Sequence, residues 1–147
     1  MKIVVASDHR GVDSKKEIKT LITELHHEYI DLGTSDGNPV DYPDLAYSAG
    51  VAVTEKKADR AILVCATGMG MSIAANKVKG IRATTCHDEI SACMAREQKD
   101  ANVLCLSGDL IGTVLLRKIV EVWLSTEFVG GRHQRRIDKI RKIEEGS

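Results

Sequence analysis

The residues best suited to chemistry lie in one stretch, V-C-A-T-G-M-G-M-S, from Val64 to Ser72. It carries a thiol, Cys65, and a hydroxyl, Thr67, beside Gly68, Met69, Gly70, Met71 and Ser72. A thiol acts as base or nucleophile in its thiolate form, which a helix N-terminus favours. The apolar run Ala61 to Val64 suits a buried parallel strand, Ala66 to Gly70 a tight loop, and Met71 onward a helix through Ile73, Ala74 and Ala75. A strand that breaks into a glycine-bearing loop and re-forms as a helix aims free backbone N–H groups at one point, where they suit an anion. The chemistry implied is proton transfer next to a developing negative charge. The same cysteine also reads as a small buried hydrophobe at a strand end, and the two glycines as the means of a tight turn.

Three further groups carry chemistry-bearing side chains. Asp8-His9 closes a strand and offers an acceptor and a ring that titrates near neutrality, or else a helix cap and a solvated histidine. Tyr42, between Asp41 and Pro43, can reach over a neighbouring crevice or anchor its loop. Arg132 and Arg136 are four residues apart, so they share a helical face and can clamp a phosphate, or form part of a solvated charged helix. His87 is undecided, and His26, His27, Cys86, Cys93 and Cys105 read as structural or surface residues.

The elements that must position these groups alternate in type. Strands are expected at Lys2 to Ser7, Glu28 to Leu32, up to Cys65, Ile81 to Cys86 and Val103 to Leu106. Helices are expected at Ser14 to His26, from Asp44 as cap to about Lys56, from Met71, at Asp88 to Gln98, Ile111 to Leu124 and Arg132 to Glu145. The alternation predicts an α/β fold, a three-layer α/β/α sandwich around a five-stranded parallel sheet of Rossmann-like type. Such sheets bind ligands at strand carboxyl ends where the strand order reverses. An order 2-1-3-4-5 makes Asp8-His9 and Cys65 line one crevice.

The bulk numbers set limits. The 147 residues make one domain, 1–147, with no repeat or low-complexity segment. Lys plus Arg equal Asp plus Glu at 21 each, so no global charge favours nucleic acid or an anionic membrane. No apolar run approaches spanning length, the strand pattern starts at once, and the cysteines lack C-x-x-C or metal spacing, so a cytoplasmic protein with reduced thiols is expected. The loop T-G-M-G-M-S lacks the third glycine of a dinucleotide fingerprint and the G-K-[ST] of a triphosphate loop, which disfavours a nucleotide- or flavin-binding module.

Seven segments together resemble the type B ribose-5-phosphate isomerases, within the wider family that includes galactose-6-phosphate isomerase. They are S-D-H-R-G (7–11), D-L-G-T (31–34), V-D-Y-P-D (40–44), C-A-T-G-M-G-M-S-I-A-A-N-K (65–77), G-I-R-A (80–83), D-A-N-V-L (100–104) and G-G-R-H-Q-R-R (130–136). The resemblance implies a metal-free, cofactor-free aldose–ketose isomerase working through a cis-enediolate. Cys65 would be the base, Thr67 would manage hydroxyl protons, and the backbone of Gly68 to Ser72 would hold the oxyanion. Asp8 and Tyr42 would bind sugar oxygens; His9, Arg132 and Arg136 would bind phosphate. It also implies a homodimer or homotetramer with shared sites, the C-terminal helix at about 132–145 packing on a partner subunit.

The chain departs from that pattern in places. Gln98-Lys99 stands where the family usually has His-Asn, so the ring-opening histidine is missing; glutamine can hold a ring oxygen but cannot shuttle a proton. Leu110 stands where an arginine is common, and Ala66 replaces a common glycine. Besides ribose 5-phosphate isomerisation, two alternatives follow: isomerisation of a hexose 6-phosphate of galactose or allose type, or a non-catalytic sugar-phosphate-binding subunit.

Overall fold

The computed structural model describes residues 1–146. In chain order the elements are β1 (Lys2–Ser7), α1 (Val12–Glu24), β2 (Glu28–Asp31), α2 (Tyr42–Thr54), β3 (Arg60–Cys65), α3 (Met69–Ala75), β4 (Ala83–Thr85), α4 (Glu89–Lys99), β5 (Val103–Ser107), α5 (Thr113–Ser125) and α6 (Arg132–Glu144). All strand pairs are parallel, as βαβ crossovers require.

The sheet order is β2-β1-β3-β5-β4, not the expected 2-1-3-4-5. Every residue of β5 is buried, whereas β4 has three residues and leaves Thr84 and Thr85 half-exposed. An interior strand must be covered on both faces, so the longer apolar strand goes inside and the short one takes the edge. Asn76 closes that edge: its amide donates to the Ala83 carbonyl at 2.9 Å and its oxygen accepts from the Ala83 amide at 2.8 Å.

Alternation along the central strands feeds two separate cores. Ile62 and Val64 of β3, with Leu104 and Leu106 of β5, pack under α1, α4 and α5 around the fully buried Trp123. Ala61, Leu63 and Cys65 face the other way, with Val4, Ala6, Ala46, Ala49, Met71 and Ala75, under α2 and α3. Residues i and i+2 of a strand share a face, so Cys65 belongs to the α2–α3 side.

Several helix starts differ from expectation, α5 among them, which begins at Thr113 and not Ile111. Helix α2 begins at Tyr42 with Asp41 at the N-cap position, and Asp44 lies inside its first turn. Pro43 sits in the first turn, where its missing N–H costs nothing. Gly11 precedes α1, so Asp8 caps no helix. The third helix starts two residues before Met71, at Met69, because Gly68 (φ +82°) completes the reversal itself.

Candidate active site

The strand order reverses between β1 and β3, and there the carboxyl ends open into a crevice of about 570 Å³. Asp8, His9 and Arg10 line it from β1, Cys65, Ala66 and Thr67 from β3, and Tyr42 and Gly70 from the helix starts. The adjacency of Asp8 and the end of β3 is direct: the Asp8 amide donates to the Val64 carbonyl at 3.1 Å.

Each side chain has a defined support. Cys65 is 5% exposed, and the Gly68 amide donates to its Sγ at 3.2 Å. The Met69 amide donates to Thr67 Oγ1 at 3.3 Å, and the Ser72 amide to the Gly68 carbonyl at 3.1 Å. Of the loop amides from Gly68 to Ser72, those of Gly70 and Met71 have no acceptor among the described residues; Gly70 lines the crevice, where its N–H suits an oxyanion, whereas Met71 is fully buried. The Ser72 hydroxyl turns away, 3.4 Å from the Ala83 carbonyl, and the Met71 side chain is core. Asp8 is buried and accepts from the Arg10 amide at 2.9 Å, which fixes its carboxylate. His9 Nδ1 lies 3.5 Å from the Val40 amide.

The loop before α2 is held from below by a buried lysine. Lys15 Nζ is 2.7 Å from Asp31 Oδ1 and 2.6 Å from the Thr34 carbonyl. Burial alone would raise the Asp31 carboxyl, but hydrogen bonds from Lys15, Lys19 and the Gly33 amide outweigh it and hold it at about 2. The Ser7 amide donates to Gly33 and the Thr34 amide back to Ser7, so this clasp sets the chain that leads to Tyr42 against the end of β1.

Placing β5 beside β3 adds residues that the sequence reading did not assign to the site. The Gly108 amide donates to the Cys65 carbonyl at 2.8 Å, and the Asp109 amide to that of Ala66 at 3.2 Å. Ser107 Oγ donates to the Ala66 carbonyl, and Asp109 lines the crevice opposite Arg10. The only sequence signal was the polar Ser-Gly-Asp that follows an apolar strand.

Gln98, Lys99, Arg132 and Arg136 do not line this crevice. They gather elsewhere, where the end of α4 meets the start of α6: the Val129 amide donates to the Glu97 carbonyl at 3.1 Å. Buried His133 lies among Lys99, Arg132 and Arg136; burial first and then these cations push its imidazole below the usual range. The end of α4 is rigid, since Arg82 donates to the Lys99 and Asp100 carbonyls and Arg96 to Asp100 and Ala101. His87 is exposed beyond β4, outside the crevice.

A family profile described as Ribose/Galactose Isomerase matches residues 3–140. Ribose-5-phosphate isomerase B of Escherichia coli (strain K12) is 42% identical over 144 residues, covering 98% of this chain and 97% of that protein. The solved structure of Clostridium thermocellum ribose-5-phosphate isomerase B is 46% identical, covers 99% of both chains and superposes with a TM-score of 0.98. That of the Mycoplasma genitalium enzyme with bound ribulose-5-phosphate is 42% identical, covers 99% of this chain and 97% of that one, and superposes with a TM-score of 0.94.

Proposed function

The chain belongs to the ribose/galactose isomerase family and is an isomerase of ribose 5-phosphate and ribulose 5-phosphate, and we propose that it works through a cis-enediolate with Cys65 as the base. The observation that carries this reading is the thiol at the end of β3 in one crevice with Gly70, whose amide has no acceptor among the described residues. Removing a proton from carbon is feasible only if the enolate oxygen is stabilised as charge builds, and preorganised N–H donors do that. In this reading Cys65 takes the C2 proton of the opened aldose and returns it to C1, while Thr67 passes protons between the two hydroxyl oxygens. Asp8 and Tyr42 hold sugar hydroxyls, and His9 meets the phosphate.

We further propose that the enzyme is a homo-oligomer in which Gln98, Lys99, Arg132 and Arg136 of one subunit complete the crevice of another. Support comes from their clustering away from the chain's own crevice and from the uncovered apolar stripe of α6, where Ile140 is 50% and Ile143 75% exposed. A groove beside that stripe, lined by Ile81 and Ala83, offers a partner further apolar surface.

A coupled assay of the purified protein on ribose 5-phosphate, galactose 6-phosphate and allose 6-phosphate tests the reading. The highest kcat/KM is expected on ribose 5-phosphate, with solvent deuterium entering the transferred position. Turnover of a hexose 6-phosphate alone would reassign the substrate, and binding without turnover of any would sink the isomerase reading.

A further inference from the structure

The crevice has a cation of its own that no role yet uses. Arg10 follows Asp8 and His9 at the end of β1 and is the one guanidinium among the described residues that line the crevice. Its Nη2 lies 2.6 Å from Asp109 Oδ2 and its Nε 3.3 Å from Oδ1, a fork across the mouth from β1 to β5. The Arg10 side chain is 55% exposed and that of Asp109 33%, so solvent screens the pair and it adds little to stability. Its backbone, by contrast, is well held. The Arg10 amide is tied to the Asp8 carboxylate and the Asp109 amide to the Ala66 carbonyl, which joins the catalytic strand end.

The charge balance of the crevice makes this pair informative. Asp8 and Asp109 both line it, so an incoming phosphate ester meets two carboxylates and needs a fixed positive charge. A guanidinium has five N–H donors; the fork to Asp109 occupies two and leaves three directed elsewhere. Planar guanidinium matches phosphate oxygens in pairs, which an ammonium cannot do. We propose that Arg10 binds the substrate's phosphate within its own chain's crevice and that Asp109 is a positioning residue that holds the guanidinium in place. This rests on the sugar-phosphate reading above. It gives the crevice a phosphate contact in cis, alongside the α6 arginines proposed to come from a neighbour.

The test compares the full-length protein with Arg10→Gln, Arg10→Lys and Asp109→Asn. KM and kcat are measured on ribose 5-phosphate, and inorganic phosphate serves both as competitive inhibitor and as calorimetric titrant. Arg10→Gln should raise KM and weaken phosphate binding together, each about tenfold or more, with a smaller effect on kcat. Arg10→Lys should recover part of the loss. Asp109→Asn should weaken both severalfold, and adding it to Arg10→Gln should cost nothing more. Unchanged KM and phosphate affinity in Arg10→Gln would overturn the proposal. A lower KM in Asp109→Asn would overturn the positioning role and mark Asp109 as a repelling charge. Because phosphate binding is read without turnover, a wild-type protein inactive on ribose 5-phosphate would sink the isomerase reading and still report on Arg10.

Discussion

The ring of Tyr42 lies against the bare backbone of Gly70: a Cβ built on Gly70 would sit 2.5 Å from Tyr42 Cε1 and 2.6 Å from Cζ. The first residue of α2 and the first turn of α3 therefore share one wall of the crevice only because position 70 has no side chain. Gly68 is bound as tightly for another reason. Its φ of +82° suits glycine, and a Cβ would meet the Leu106 carbonyl carbon at 3.0 Å.

Gly70→Ala should displace the Tyr42 ring while leaving the fold intact. Misplacing a substrate-positioning group by about 1 Å can cost on the order of a hundredfold. A fall in kcat/KM of that size is expected, with a shifted ring seen in a crystal structure of the variant. Normal kinetics would mean that Tyr42 does not position the sugar.

Cys65→Ala should lower kcat by about 10²–10⁴-fold, the typical contribution of a positioned acid–base group, with sugar-phosphate affinity largely kept. Alkylation gives an independent measure. Burial pushes the Cys86 and Cys105 thiols up, and Cys93 is raised by desolvation and then by Glu97, so none of the three should react quickly. Inactivation by iodoacetamide should track modification of Cys65, and substrate should slow it. Inactivation of the wild type that tracks modification of any other cysteine would contradict the assignment.

Arg132→Ala or Arg136→Ala should cut kcat/KM by roughly ten- to a hundredfold through weaker phosphate binding. If these arginines serve a neighbour, co-refolding Cys65→Ala with the double variant Arg132→Ala/Arg136→Ala should restore activity. In a dimer, half of the random pairs are mixed and each has one intact site, so recovery should approach about one quarter of wild type. No recovery above the two parents would place the arginines in their own chain's crevice.

Gln98→His tests the departure at the end of α4. A ring-opening acid–base group should raise the single-turnover rate on cyclic ribose 5-phosphate more than on open-chain ribulose 5-phosphate, within the 10²–10⁴-fold range. His9 is the imidazole already in the crevice, whereas His87 lies outside it. Should Gln98→His leave ring opening unchanged, His9→Asn becomes the variant expected to slow that step.

The Lys15–Asp31 clasp should appear in acid stability. The Asp31 carboxyl sits at about 2 in the fold against an ordinary 3.8, so its contribution is full above about pH 4 and is lost as pH falls toward 2. Wild type should lose melting temperature across that window, and Asp31→Asn should show a flatter acid limb. At neutral pH, Asp31→Asn leaves the buried Lys15 ammonium without its partner, a cost on the order of 3 kcal/mol. Parallel acid limbs for the two proteins would remove the pair from this role.

The local patterns were legible in the chain itself. Alternating apolar strands and amphipathic helices specified an α/β sheet because the periods of 2 and 3.6 each bury a single face or stripe. The Cys65-to-Ser72 loop showed its chemistry because thiol, hydroxyl and bare amides follow one another along the backbone. The start of α2 lies three residues and that of α3 two residues before the sequence expectation, since proline and left-handed glycine conformations blur where a helix begins.

What only the tertiary structure decided is which strand ends become neighbours. Strand β5 pairs with both β3 and β4, and which segments distant in sequence pair is set by the packing of the whole sheet rather than by either strand's own periodicity. That placement brings Asp109 opposite Arg10, 99 residues away in the chain, and braces the Cys65–Ala66 backbone with Ser107 and Gly108. Likewise, the resemblance implied phosphate contacts at Arg132 and Arg136 in sites shared between subunits, and the fold sets these arginines, with Gln98 and Lys99, apart from the crevice of their own chain. Residue types report the chemistry that is possible; the long-range packing of strands and helices decides which of them meet.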